Sequence, residues 1–328
     1  MNGDLKMIDI SQKPAELPSA VTSVSVIAGE SVAGYSEDSH AYAVGGYFGY
    51  TAVFDGCGIS GSAIYPCFGN QTGSYISANI AACAAVDLFA TIRDVKELPV
   101  AKSLAKEYKE LTDDYLSQFC EVAGVEVPTD GTRVFPTSAA ITYFDFSQKN
   151  SLSCTCLWAG NCRSYILDKK GLAVLTVDDI PDGADVTDGD DTQLTNCIRA
   201  GGDYVINRKQ ISSDLPAMVI NATSGCYRAF ANPAELEFML LYTLDKAKSL
   251  SKWEASVDNY MKNVVKDDFT LAVSMFGFSS FEDIKTYFRK RMDDLLVTVI
   301  DPLKNFESVD KKTEILGDYI SGYERYTD

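Results

Sequence analysis

Thr51-Ala52-Val53-Phe54-Asp55-Gly56-Cys57-Gly58 is an apolar run that stops abruptly on a carboxylate among small residues. The apolar part suits a buried strand, and Asp-Gly suits the turn that ends one. A carboxylate at the end of a buried strand lies on a rim where neighbouring strand ends converge. Two more acidic pairs have the same setting. Glu37-Asp38 stands just before a strand, and Asp267-Asp268 precedes the strand Phe269-Thr270-Leu271-Ala272-Val273. Asp and Gly also end strands simply as turn residues. Gathered on one rim, however, these carboxylates would repel one another, and with oxygen ligands the usual neutraliser is Mg²⁺ or Mn²⁺.

The remaining composition narrows the chemistry. His40 is the single histidine, so His-rich zinc sites are excluded and a Ser-His-Asp triad requires His40 as its base. The chain has 328 residues, 46% of them apolar, which is enough to bury a large core. Its formal charge is 29 − 46 = −17 with no offsetting basic patch, so no nucleic-acid partner is expected. No run of about 18 apolar residues is evident, and Met1-Asn2-Gly3-Asp4 does not read as a signal peptide. The nine cysteines, odd in number and irregularly spaced, read as reduced thiols. The expectation is a cytoplasmic protein with no membrane association.

Strands are expected over Val21–Ala28, Ala41–Phe54, Ser138–Phe146, Ser153–Trp158, Arg163–Leu167, Ala173–Thr176, Ala217–Ala222 and Phe269–Phe276. Helices are expected over Tyr75–Ile92, Ala101–Phe119 and Pro233–Leu250, the last with Asn232 as cap and proline at its first position. Phe281–Ile300 and Lys311–Tyr326 read as a helical tail. Ile284, Phe288, Met292, Leu295, Leu296 and Val299 recur three or four apart, which suits packing on the domain, with a partner-binding helix as the alternative. Val177–Asp191 is rich in Asp, lacks the EF-hand spacing, and reads as an exposed loop. Cys154 and Cys156 alternate onto one face of a strand, so a buried pair is expected rather than a metal site. No segment reads as a linker, and meander strands between helix pairs suggest α+β layers.

Seven ordered motifs resemble those of the metal-dependent Ser/Thr protein phosphatases of type 2C, the PPM family. Ser36-Glu37-Asp38-Ser39-His40 is similar to that family's E-D-x-H, and Ala52 to Gly58 to its F-x-V-F-D-G-H-G. Pro136-Thr137-Ser138-Ala139-Ala140 falls where its G-S/T-T-A stretch lies, and Trp158 to Tyr165 is similar to A-x-V-G-D-S-R-x-Y. Leu175 to Asp179, Ile220 to Gly225 and Lys266 to Thr270 resemble L-T-x-D-H, L-A-S/T-D-G and D-N-x-T. The resemblance implies a four-layer αββα sandwich of two antiparallel sheets over residues 1–278, with residues 279–328 as a helical extension packed on the same domain. It also implies a phosphoprotein substrate, within a protein-kinase-regulated system, and hydrolysis by a water shared between two Mn²⁺ or Mg²⁺ ions. By the same resemblance Asp55, Gly56 and Asp267 bind metal, while Glu37 and Asp38 hold metal-bound waters beside the catalytic Asp55.

Four positions depart from that pattern. Ser224 stands where the family has a metal-binding Asp, and Asn161 where it has the Asp of G-D-S-R. Ala33 lies four residues before Glu37, where many members carry a phosphoryl-gripping Arg. Cys57 replaces the His after D-G, as in the D-G-C-G associated with a clostridial-type bacterial branch. A hydroxyl is a poor substitute for a carboxylate, so one ion is expected to be weakly held. The readings are therefore an impaired phosphatase or, alternatively, a pseudophosphatase serving as a binding or regulatory module. Beside the acidic site the Cys57 thiol is expected to be raised, which argues against a nucleophile, and His40 suits either a core position or a place near the metals.

Overall fold

The computed structural model describes residues 21–45, 47–92, 101–181, 191–305 and 308–327. The chain starts with β1 (Val21–Gly29), β2 (Asp38–Gly45) and β3 (Phe48–Gly56), then the short β4 (Ile64–Tyr65) and β5 (Gln71–Thr72). Two helices follow, α1 (Gly73–Thr91) and α2 (Ala101–Ala123). A meander comes next, with β6 (Thr137–Asp145), β7 (Ser151–Ala159), β8 (Arg163–Asp168), β9 (Gly171–Val174), β10 (Asn207–Asp214) and β11 (Ala217–Ala222). Then come α3 (Ser224–Arg228), α4 (Pro233–Lys246), α5 (Leu250–Val264) and β12 (Phe269–Phe276). The chain closes with α6 (Phe281–Leu295), a π-helical turn (Leu296–Ile300), α7 (Asp301–Asn305) and α8 (Val309–Tyr323).

One antiparallel sheet has the order β1-β12-β11-β8-β9 and the other β10-β7-β6-β3-β2. Alternation along the strands sorts side chains into three apolar layers. Ile141 and Tyr143 of β6 join Tyr50, Phe54, Ile76, Leu104 and Tyr108 beneath α1 and α2. Phe144 faces the other way and meets Phe276, Trp158, Ile166 and Val219 between the sheets. On the far side Val273 and Met275 of β12 pack with Leu240, Trp253, Phe288 and Tyr323 from α4, α5, α6 and α8. This is the expected four-layer sandwich. Cys154 and Cys156 both lie in the middle layer, as their spacing indicated.

Several elements differ from expectation, each for a local reason. The run Ala41–Phe54 is a hairpin, β2 and β3, because it turns at Gly45. The helix expected to Leu250 stops at Lys246, and Ser249 caps a separate α5 through the Lys252 amide. Asn207–Asp214 is a strand the sequence did not announce, since β10 is a polar sheet edge with only Ile211 and Ser213 buried. Helix α1 is long and apolar enough to cross a membrane, contrary to the expectation of no such run. It packs against β2, β3 and α2, so its apolarity is that of a core helix. Most of the Asp-rich segment, residues 182–190, lies outside the described residues, as do Met1 to Asp4.

Candidate active site

The ladder β2-β3-β6 aligns Asp38 with Asp55 and Asp55 with Ser138. Like charges directly opposite on adjacent strands destabilise a sheet, so this register carries a cost. Around it lies a cleft of about 200 Å³ lined by Glu37, Asp38, Asp55, Gly56, Cys57, Ser138, Asn161, Asp191, Ser224, Arg228, Asp267 and Asp268, among others. The two acidic pairs and the single Asp55 picked out in the sequence therefore meet in space.

Close backbone approach makes that convergence possible. A Cβ on Gly56 would fall 2.8 Å from the Ser74 carbonyl oxygen at the start of α1. A Cβ on Gly225 would fall 2.0 Å from the Asp268 carbonyl oxygen, so only glycine lets α3 approach the Asp267-Asp268 turn.

Each carboxylate is gripped by neutral donors. The Ser224 amide and hydroxyl both donate to Asp55 Oδ2, at 2.9 and 2.6 Å. Thr223 Oγ1 donates to Asp38 Oδ2 at 2.8 Å, and Thr72, the cap of α1, donates to Glu37 Oε1 at 2.5 Å. Asp268 accepts the Ser31 and Glu37 amides at 2.7 and 2.8 Å and so ties down the loop before β2. Asp267 Oδ1 accepts the Asp268 amide at 2.9 Å. No cation lies within ion-pair distance of Glu37, Asp38 or Asp55 among the described residues.

The electrostatic consequence has a consistent sign. Burial, with Ser224's hydrogen bonds opposing it and the charge of Asp267 adding to it, pushes the Asp55 carboxyl up to about 6. Burial and the facing Asp55 hold Asp38 well above the usual carboxylate range. Glu37 is raised too, by burial and, despite the Thr72 hydrogen bond, by the charges of Asp268, Asp55 and Asp267. A hydrogen bond with Cys197 and burial push the Cys57 thiol well up, the direction expected beside the acidic site and one that disfavours the thiolate.

The other departures occupy distinct places. Asn161 lies in the cleft, its Oδ1 accepting from Ser138 Oγ at 3.0 Å and its carbonyl from the Tyr227 hydroxyl at 2.7 Å. Ala33 does not line the cleft and sits exposed in the loop between β1 and β2. His40 is exposed on the edge strand β2, opposite Val53, and belongs neither to the core nor to the cleft. Two charged lining residues were not singled out in the sequence. Asp191 accepts the Ile59 and Ser60 amides at 3.0 and 3.3 Å, but nothing marked it among so many neighbouring Asp. Arg228, four residues after Ser224, is the cleft's lone cation among the described residues.

Among the described residues no three His, Cys, Asp or Glu form a finished metal-ligand group. The donor set is nonetheless one of hard oxygens. Asp55 Oδ1 and Asp267 Oδ2 carry no hydrogen bond among the described residues, and a cation would relieve the raised Asp55 carboxyl. These residues fit one Mg²⁺ or Mn²⁺ ion. A second finds a hydroxyl at Ser224 whose proton is already directed at Asp55.

No protein-family model matches the chain, and no curated protein matches it. Solved structures do. The Ser/Thr phosphatase Stp1 from Staphylococcus aureus superimposes with a TM-score of 0.56 at 10% identity, covering 82% of this chain and 100% of that one. PppA, described as a key regulatory component of the type VI secretion system in Pseudomonas aeruginosa, gives 0.54 at 16% identity over 78% and 97%. The catalytic domain of the Ser/Thr phosphatase PstP, in complex with two manganese ions, gives 0.51 at 14% over 78% and 98%. The fold is that of the PPM-type Ser/Thr phosphatases.

Proposed function

We propose that the chain is a phosphoprotein phosphatase, hydrolysing phospho-Ser/Thr monoesters with Mg²⁺ or Mn²⁺, and that it holds one ion rather than two. The observation that carries this reading is the cross-strand pair Asp38–Asp55, half-buried, facing a cleft and in no ion pair among the described residues. Asp55, the Gly56 carbonyl and Asp267 would hold the ion, with Glu37 and Asp38 near its waters. A bound ion of this kind supplies positive charge and a water of lowered pKa. The chain's own groups do the rest. Ser224 fixes the Asp55 carboxylate, Thr223 and Thr72 orient Asp38 and Glu37, and Gly56 and Gly225 allow the close backbone approaches that bring these elements together. No protein nucleophile is needed, which suits the raised Cys57 thiol and the outlying His40.

A regulatory module that keeps the fold without turnover is the second reading, and the Ser224–Asp55 hydrogen bonds favour it. They occupy an Asp55 oxygen that would otherwise be free to hold a metal ion. Either way the partner is a phosphoprotein or a kinase-regulated system, and the free thiols, with only Cys67 and Cys83 exposed, support a reducing, cytoplasmic setting. We read residues 1–278 as the phosphatase-like unit and 279–328 as an extension joined to it. Hydrolysis of p-nitrophenyl phosphate in excess Mn²⁺, with Asp55→Asn as control, decides between the readings. Turnover lost in Asp55→Asn supports the enzyme, and none in either protein supports the module.

A further inference from the structure

Six carboxylates line the cleft (Glu37, Asp38, Asp55, Asp191, Asp267, Asp268), yet its one guanidinium, Arg228, forms an ion pair with none of them among the described residues. Its Nε is buried and has no hydrogen-bond partner among the described residues. A buried guanidinium N–H without an acceptor costs free energy, and native structures rarely leave one. The neighbouring Arg163 shows what a structural arginine looks like here. It grips Asp178 in a two-pronged pair at 2.9 and 2.8 Å and lies 3.7 Å over the Tyr227 ring. Arg163 is fully engaged, whereas Arg228 is held back.

We propose that Arg228 is the phosphoryl-anchoring residue of this cleft, donating a planar fork of N–H groups to two non-bridging oxygens of a phosphomonoester. The identity of that ligand rests on the phosphatase reading above. The placement follows from the chain. Arg228 ends α3, whose first residue is Ser224, the partner of Asp55, so anchor and metal-site carboxylate are fixed by one short element. Exposed Ala33 offers no donor. With Ser224 removing an anionic ligand and its ion, the cleft lacks positive charge toward a dianion, and a guanidinium supplies one charge with two-point geometry. Arg228 also borders an adjoining pocket of about 150 Å³ walled by Tyr227, Phe230, Pro233, Leu236 and Tyr323. A phosphate held by Arg228 would therefore place the residue flanking the phosphoserine over an apolar, aromatic surface.

Binding tests this without requiring turnover. Inorganic phosphate is titrated calorimetrically into the full chain in excess Mg²⁺, for wild type, Arg228→Ala and Arg228→Lys, with Mg²⁺ affinity measured separately. Loss of a charge-assisted fork should weaken phosphate about 10- to 100-fold in Arg228→Ala. Arg228→Lys should recover only part of it, since an ammonium is a point charge. Mg²⁺ should bind Arg228→Ala as tightly as wild type or tighter, because a competing cation is gone. Equal phosphate affinity in wild type and Arg228→Ala overturns the proposal. So does a wild type that binds no phosphate, or a parallel loss of Mg²⁺ affinity, which would mark Arg228 as a prop for the cleft. Phosphate binding that depends on Arg228 in a protein that hydrolyses nothing upholds the anchor and overturns only the catalytic reading.

Discussion

Glu237 of α4, wholly buried, receives Arg291 Nε at 2.6 Å, Arg291 Nη2 at 2.9 Å and the Tyr319 hydroxyl at 2.8 Å. Asp38 and Asp55 receive hydroxyls and an amide, and no cation. Both regions take carboxylates out of water, which is costly unless the charge is compensated. In the helical layer compensation is built into the chain and joins α4, α6 and α8. In the cleft it is left out, and the register even sets two Asp side by side. A protein that can pair a buried carboxylate so fully, and does not do so at its cleft, has the arrangement that the proposed metal-dependent reading requires.

The largest expected effect breaks the satisfied region. Glu237→Ala strands the Arg291 charge and should destabilise the fold by about 3–5 kcal/mol in urea unfolding. Asp38→Asn should have the opposite sign in chelator-treated protein, raising stability by removing a charge that faces Asp55. If both substitutions destabilise alike, the two regions do not differ as described.

Next in size is a gain of function. Ser224→Asp puts an anionic oxygen where a hydroxyl now stands and should recruit a second ion. A rise in kcat/KM for p-nitrophenyl phosphate of roughly two orders of magnitude, about 2.7 kcal/mol, is expected with Mn²⁺. Asn161→Asp alone should do less. A Ser224→Asp protein that binds a second Mn²⁺ yet turns over no faster would place the block elsewhere, at Ala33 or Cys57.

The smallest effect is in pH dependence. Burial raises the Asp55 carboxyl to about 6 in the folded chain, above its ordinary range. The folded state therefore takes up this proton first as pH falls, so stability rises from near that value downward and levels off below about pH 4. Metal-free protein should gain at most about 1.4 kcal/mol per pH unit from this group across that window, a slope that Asp55→Asn removes. An unchanged slope in thermal unfolding of Asp55→Asn would show that Asp55 is not strained by its surroundings.

The difference between the two regions also separates what could be read from the sequence from what could not. Near-continuous runs of apolar and small residues announce the central strands β6 and β12, because both faces of each are buried. It is silent on β10, whose polar edge resembles a loop, and on the break between α4 and α5, which depends on the Ser249 cap. The acidic pairs were legible because Asp and Glu beside strands are conspicuous, and Ser224 because it interrupts a pattern. Arg228 was not, since its meaning lies in what it fails to contact, and only the tertiary placement of α3 supplies that. The Glu237–Arg291 pair joins residues 54 positions apart, a separation no local pattern marks.

Calorimetric titration of the chelator-treated protein with Mn²⁺ tests most directly whether the cleft is built for a cation it does not itself supply. One site of roughly millimolar affinity is expected for wild type, weaker than ordinary tight carboxylate sites because Ser224 contributes no charge. Asp55→Asn should abolish it, and Glu237→Gln, where it folds, should leave it unchanged. Two tight sites in wild type, or binding that survives Asp55→Asn, would contradict the account.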